Sequence, residues 1–150
     1  MADDAVLVDT NVLLTATTPA RALHREALTV LNEWPDRGVP LWVSGQILRE
    51  YLVVATRPLD VNGLGLEVEA ALANVAQFRG RVRLVDERVV VFEHLNRLVR
   101  EIGCRGKQIH DANLVATALA HGAKRILTIN VHDFRRFAAY VEIWDLAESG

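Results

Sequence analysis

Short apolar runs alternate with longer stretches of helical period along this chain, the pattern of an α/β fold with a mainly parallel sheet. Val6-Leu7-Val8 reads as a short buried strand ending at Asp9. Thr18-Pro19 has the form of a helix start, a capping hydroxyl followed by proline in the first turn. Leu23, Ala27, Leu31 and Trp34 continue that helix at helical spacing, and Pro35 with Gly38 stops it. Leu41-Trp42-Val43 is the second strand, and Ser44 is placed to cap a helix running to about Thr56, ended by Arg57-Pro58. A loop at 60–65 leads into an amphipathic helix over roughly 66–78. Residues 82–85 alternate as a third strand. Asp86 is placed to cap a helix carrying Val89, Phe92, Leu95, Val99 and Ile102, with Gly103 as its stop. An Ala-rich helix over 111–121 closes at Gly122. Residues 126–129 and 141–144 are the fourth and fifth strands.

With 150 residues the chain has the length of one domain, so a single core over 1–150 is expected. Hydrophobic residues make up 51% and charged ones 24%, too apolar for disorder. A core of this size needs no disulfide or structural metal. The lone Cys104 excludes an intramolecular disulfide or a Cys-based zinc site and fits a reducing, cytoplasmic compartment. No apolar run approaches the ~18 residues of a membrane span. The acidic start Met1-Ala2-Asp3-Asp4 is unlike a signal peptide. The net charge of −2 announces no global field for nucleic acid, so any such binding must use a local patch.

The chemistry lies in four carboxylates. In open α/β sheets ligands gather beyond the carboxyl ends of the strands, and here those ends read Asp9-Thr10-Asn11, Ser44, Asp86 and Asn130. Asp9 taken alone reads as a helix N-cap. Glu50 has Gln46, Ile47, Val53 and Val54 three and four places away, a mostly apolar face on which nothing pairs with its charge. Its bland reading is a glutamate snorkelling at a helix edge. Asp111 repeats the pattern with Leu114 and Val115, and also reads as a cap. Asp133, just past the fourth strand, by itself is an ordinary turn aspartate. Together the four can converge at one end of a parallel sheet, where they repel one another unless a cation fills the cluster. All-oxygen ligands favour Mg²⁺ or Mn²⁺. A divalent ion so held suits phosphoryl chemistry and argues for a nuclease or phosphatase.

Two other readings fail on residues. Gly63-Leu64-Gly65 opens like a dinucleotide fingerprint but lacks the third glycine and a preceding strand. A haloacid-dehalogenase phosphatase wants an aspartate where Asn11 stands.

At this point the chain resembles the PIN-domain ribonucleases, in particular the VapC-type toxins of bacterial toxin–antitoxin pairs. The resemblance rests on Val8-Asp9-Thr10-Asn11-Val12-Leu13, on Ser44 through Glu50-Tyr51-Leu52, on His110-Asp111-Ala112-Asn113, and on Leu127-Thr128-Ile129-Asn130 with Asp133-Phe134. It implies a three-layer α/β/α domain and a metal site of Asp9, Glu50 and Asp111. Where the family often has a fourth acid, this chain has Asn130, with Asp133 three residues on. The fourth ligand thus stands open between Asp133 and Asn130. Thr10, Asn11 and Thr128 look like supporting polar residues, and Asn113 is either another or merely structural. The resemblance implies an RNA-cleaving toxin dependent on Mg²⁺, with Mn²⁺ as substitute, a homodimer, and a small VapB-type antitoxin that blocks the site.

Arg105 and Lys107 precede Asp111, while Arg135 and Arg136 follow Asp133. These cations can hold RNA phosphates on either side of the acids, or form an ordinary solvated face. Two alternatives remain beside the toxin. One is a PIN-like binding or assembly module weakened at Asn130, and the other a processing nuclease without an antitoxin.

Overall fold

The computed structural model describes residues 4–149, so Met1 to Asp3 of the acidic start lie outside the described residues, as does Gly150. Five strands, β1 (Val6–Val8), β2 (Leu41–Ser44), β3 (Arg83–Val85), β4 (Arg125–Thr128) and β5 (Glu142–Asp145), form one sheet in the order β3-β2-β1-β4-β5. Every pairing is parallel, with Leu7 opposite Trp42 on one side and Ile126 on the other. β1 and β2 are buried at every position, as strands covered on both faces must be.

Among the described residues the α-helices are α1 (Thr10–Thr17), α2 (His24–Glu33), α3 (Gly45–Thr56), α4 (Val68–Arg79), α5 (Val89–Leu98), α6 (Gln108–His121) and α7 (Val131–Phe134). Parallel crossovers are right-handed. The walk from β1 to β2 to β3 therefore lays α1–α4 on one face. The return to β4 and on to β5 lays α5–α7 on the other. The packing agrees: α1 contacts α2 and α3, α3 contacts α4, and α6 contacts α5 and α7. This is the expected three-layer α/β/α arrangement. Its strand order reverses between β1 and β4, which opens a crevice at their carboxyl ends.

Three expectations about elements need correction. The first helix does not start at Thr18-Pro19. A helix already runs over Thr10–Thr17, where Thr18 is its C-cap, and the next begins at His24. Thr10 and residues 12–16 of α1 are all buried, so its sequence shows little of the one-sided period that marks a surface helix. Asp86 caps nothing, because α5 starts at Val89 with Arg88 in the cap position and no side-chain cap. The Ala-rich helix starts at Gln108, so Asp111 lies inside its first turn and is no cap. Ser44 does cap α3, its hydroxyl accepting from the Ile47 amide at 3.4 Å, and Gly103 ends a widened turn after α5 with φ 77°.

The loop between α3 and α4 folds back on the end of α3. Leu64 N–H donates to Val54 O at 3.0 Å, Gly65 N–H to Arg57 O at 2.8 Å and Leu66 N–H to Ala55 O at 2.9 Å. These bonds satisfy carbonyls that a helix end otherwise leaves orphaned. The close approach requires glycine: a Cβ on Gly63 would stand 1.9 Å from the Arg57 carbonyl oxygen. Gly45, in the first turn of α3, has nothing within 4 Å. Gly63→Ala is expected to cost about 1–3 kcal/mol by denaturant unfolding. Gly45→Ala should be neutral or stabilising by up to ~1 kcal/mol. Equal effects of the two would contradict the tight approach at Gly63.

Candidate metal centre

Asp9 stands directly after β1, its backbone N–H extending the ladder to Leu127 O at 2.9 Å. Only 9% of it is exposed. One carboxylate oxygen, Oδ1, accepts from the Thr10 amide at 2.7 Å and so caps α1. The other, Oδ2, accepts from the Thr128 hydroxyl at 2.8 Å and from Asn11 Nδ2 at 3.2 Å. Cap and site acid are therefore not rival readings, since each occupies its own oxygen. Thr128 and Asn11 hold each other as well, with Asn11 Nδ2 donating to Thr128 Oγ1 at 3.2 Å and Asn11 Oδ1 accepting from Ile129 N–H at 3.2 Å. The Asn130 amide also donates to Thr128 Oγ1, at 3.0 Å.

Glu50 reaches toward the same end from α3. Its Oε2 accepts from the Thr10 hydroxyl at 3.1 Å and its Oε1 from Gln46 Nε2 at 2.9 Å. The expectation that nothing around Glu50 pairs with its charge is thus corrected. Gln46, one turn earlier and 3% exposed, donates to it. The signal was present as an amide at the i, i+4 spacing, which brings two side chains together on a helix.

Asp111 is half-buried on α6, and Asp133 is exposed on α7. Neither carboxylate accepts a hydrogen bond from the described residues, so two acids are fixed and two are free to turn. The charges of Glu50 and Asp133 act on both Asp9 and Asp111, and that of Asp9 acts on Asp111. Burial, the dominant cause, pushes Asp9 up to about 6; its hydrogen bonds from Thr128 and Thr10 oppose this, and the charges of Glu50 and Asp133 add to it. Burial and then the charges of Asp9 and Asp133 push Asp111 up to about 7, with Arg136 pulling it back and Glu50 adding a further rise.

The remaining expected residues are more scattered. Arg136 lies close enough to Asp111 for its charge to act there, and its Nε donates to the Asp133 carbonyl at 3.2 Å. Arg105, Lys107, Arg135 and Asn130 are exposed. Asn113 bridges, its Nδ2 donating to Gln46 Oε1 at 2.7 Å and to Glu87 Oε2 at 3.1 Å. Glu87 and Gln46 are the members of this constellation that sequence reading passed over.

The donor set fits a hard divalent cation in chemistry and charge: four oxygen acids, one deeply buried, with Asp9 and Asp111 raised in part by the charges of the others. Among the described residues no three Asp, Glu, His or Cys side chains already close on a point that holds a metal ion. Closure would fall to Asp111 and Asp133, the two whose carboxylates no hydrogen bond restrains.

Comparison with known proteins gives a consistent picture. The PIN-domain family profile matches residues 5–132. Over 133 residues, 86% of this chain and 89% of the relative, the sequence is 33% identical to ribonuclease VapC48 of Mycobacterium tuberculosis. Among solved structures, VapBC2 from Rickettsia felis bound to a promoter DNA fragment superposes with a TM-score of 0.69 at 18% identity, covering 94% of this chain and 99% of that one. VapC20 of Mycobacterium tuberculosis, a toxin that cleaves the sarcin–ricin loop, gives 0.65 at 20% identity over 91% of this chain and 97% of the other. These structural likenesses carry the fold.

The raised acids set a pH dependence. Folded Asp9 and Asp111 keep protons at pH values where the unfolded chain has released them. Their contribution to stability is therefore fully present below about pH 4 and is lost as pH rises through about 6 and 7. Asp111→Asn removes one such group. In EDTA its melting midpoint relative to wild type is expected to climb from pH 4 to pH 7.5, leaving the variant the more stable at the upper end. An offset that stays constant over that range would contradict the clustering.

Proposed function

The chain belongs to the PIN-domain family, and from that membership we propose that it is an endoribonuclease toxin, using Mg²⁺ or Mn²⁺ to hydrolyse RNA and neutralised by a small VapB-type antitoxin. What supports this reading is that the charges of Asp9, Asp133 and Glu50 all act on Asp111, with Asp9 beside the reversal of strand order, in a chain 33% identical to a ribonuclease. The solved VapBC pair from Rickettsia felis supports the antitoxin as partner. We take residues 1–150 as a single nuclease unit that works as a homodimer in the cytoplasm.

Asp9, Glu50 and Asp111 would hold the cation, with Asp133 as the fourth acid and Asn130 as its alternative. When bound, the ion supplies positive charge to the scissile phosphate and lowers the pKa of a water. Thr128 and Asn11 aim Asp9 Oδ2, and Thr10 aims Glu50 Oε2, so the fixed half of the site is built before any ligand arrives. No side chain serves as nucleophile; the carboxylates bind and take protons. Arg136, beside Asp111, offers a charge to an RNA phosphate, and Arg105, Lys107 and Arg135 extend that offer along the surface.

Purified protein given RNA and Mn²⁺ should generate new 5′ ends, and EDTA should stop it. Asp9→Asn, which deletes a charge and little volume, should reduce cleavage beyond the ~10–100-fold that loss of a merely supporting residue costs, with the far-UV spectrum unchanged. Cleavage that survives EDTA or the substitution would overturn the metal assignment. Absence of cleavage by the wild type would favour the binding-module alternative.

Charge contacts to RNA are tested separately. Replacing Arg135 and Arg136 together by alanine should weaken RNA binding and reduce the slope of log affinity against log salt by roughly 0.7 per lost contact. An unchanged slope would return both to an ordinary solvated surface.

A further inference from the structure

Gln46 stands out as a buried amide with every polar atom in use. Its Nε2 donates to Glu50 Oε1 at 2.9 Å and to the His110 carbonyl at 3.1 Å, while its Oε1 accepts from Asn113 Nδ2 at 2.7 Å. The amide can face only one way. Turned over, its oxygen would meet a carboxylate and a carbonyl, two acceptors with no proton between them. Asn113 enforces the same choice by donating to the oxygen. His110 and Asn113 lie on either side of Asp111 on α6, whereas Glu50 shares α3 with Gln46. One side chain therefore ties the helix of one candidate ligand to the helix of another.

We propose that Gln46 is a positioning residue for the cation site, orienting Glu50 and setting α3 against α6 so that Glu50 and Asp111 can engage one ion. This inference rests on the metal-dependent nuclease reading given above. Glu50 then has a donor on each oxygen, Gln46 from its own helix and Thr10 from the start of α1. Each donor leaves lone pairs of that oxygen free for a cation, because a carboxylate accepts about four contacts. Asn113, also bonded to Glu87, is the outer end of the same arrangement.

Supporting groups of this kind typically change metal affinity 10–100-fold when removed. Gln46→Met keeps length and loses the hydrogen bonds, whereas Asn113→Ala, at a half-buried site, leaves Gln46 Oε1 without its donor and removes one tie between α3 and α6. Mn²⁺ binding by titration calorimetry, melting in EDTA, and kcat and KM for RNA are compared with wild type and with Asp9→Asn. Gln46→Met should bind Mn²⁺ about tenfold or more weakly, and Asn113→Ala by a smaller factor. Both should lower kcat while KM for RNA holds. Should Gln46→Met fail to fold, Asn113→Ala decides. Wild-type Mn²⁺ affinity in the folded variants, beside lost binding in Asp9→Asn, would overturn the positioning role alone, and lowered melting in EDTA would then be a packing effect. Mn²⁺ binding that ignores Asp9→Asn would overturn the site itself, and the positioning role with it.

Discussion

A carboxylate buried at the point where the strand order reverses is the constraint from which the rest of this structure follows. Asp9 leaves β1 with its backbone still in the ladder to β4, caps the next helix with one oxygen, and turns the other toward Thr128 at the end of β4. Taking an ionised carboxylate out of water is costly unless hydrogen bonds or a counter-charge compensate. Three donors compensate in part, since Asp9 remains pushed up to about 6. Acids on α3, α6 and α7 then add charge of the same sign. Like charge gathered around a buried carboxylate is the electrostatic basis of the cation site proposed above.

The four acids differ in how they are held. Asp9 and Glu50 sit among hydroxyl and amide donors, which fix their direction. Asp111 and Asp133 have no such donors among the described residues, and Arg136 acts on Asp111 through its charge. Rigid acids define where a ligand binds. Unrestrained ones can adjust to complete its shell without straining the sheet.

Much of this was legible in the chain. The five runs read as strands are five parallel strands, and Asp9 does follow the first of them at the point where strand order reverses. What escaped did so for identifiable causes. Helix α1 is buried nearly all round, so it lacks the amphipathic stripe by which helices are read. Asp86 looked like a cap, yet the chain goes on past it before α5 starts at Val89. Gln46 was counted as a neighbour of Glu50 but not as its donor, because the direction of an amide depends on Asn113, 67 positions away. Long-range hydrogen bonds of that kind leave little trace in local pattern.

Anomalous diffraction at the manganese edge, from crystals of the wild-type protein grown with Mn²⁺, tests most directly whether these acids form one cation site. The expected result is a manganese peak in the crevice at the carboxyl ends of β1 and β4, bonded to Asp9 and to at least one of Glu50, Asp111 and Asp133. Manganese bound elsewhere, with all four carboxylates left unliganded, would contradict it.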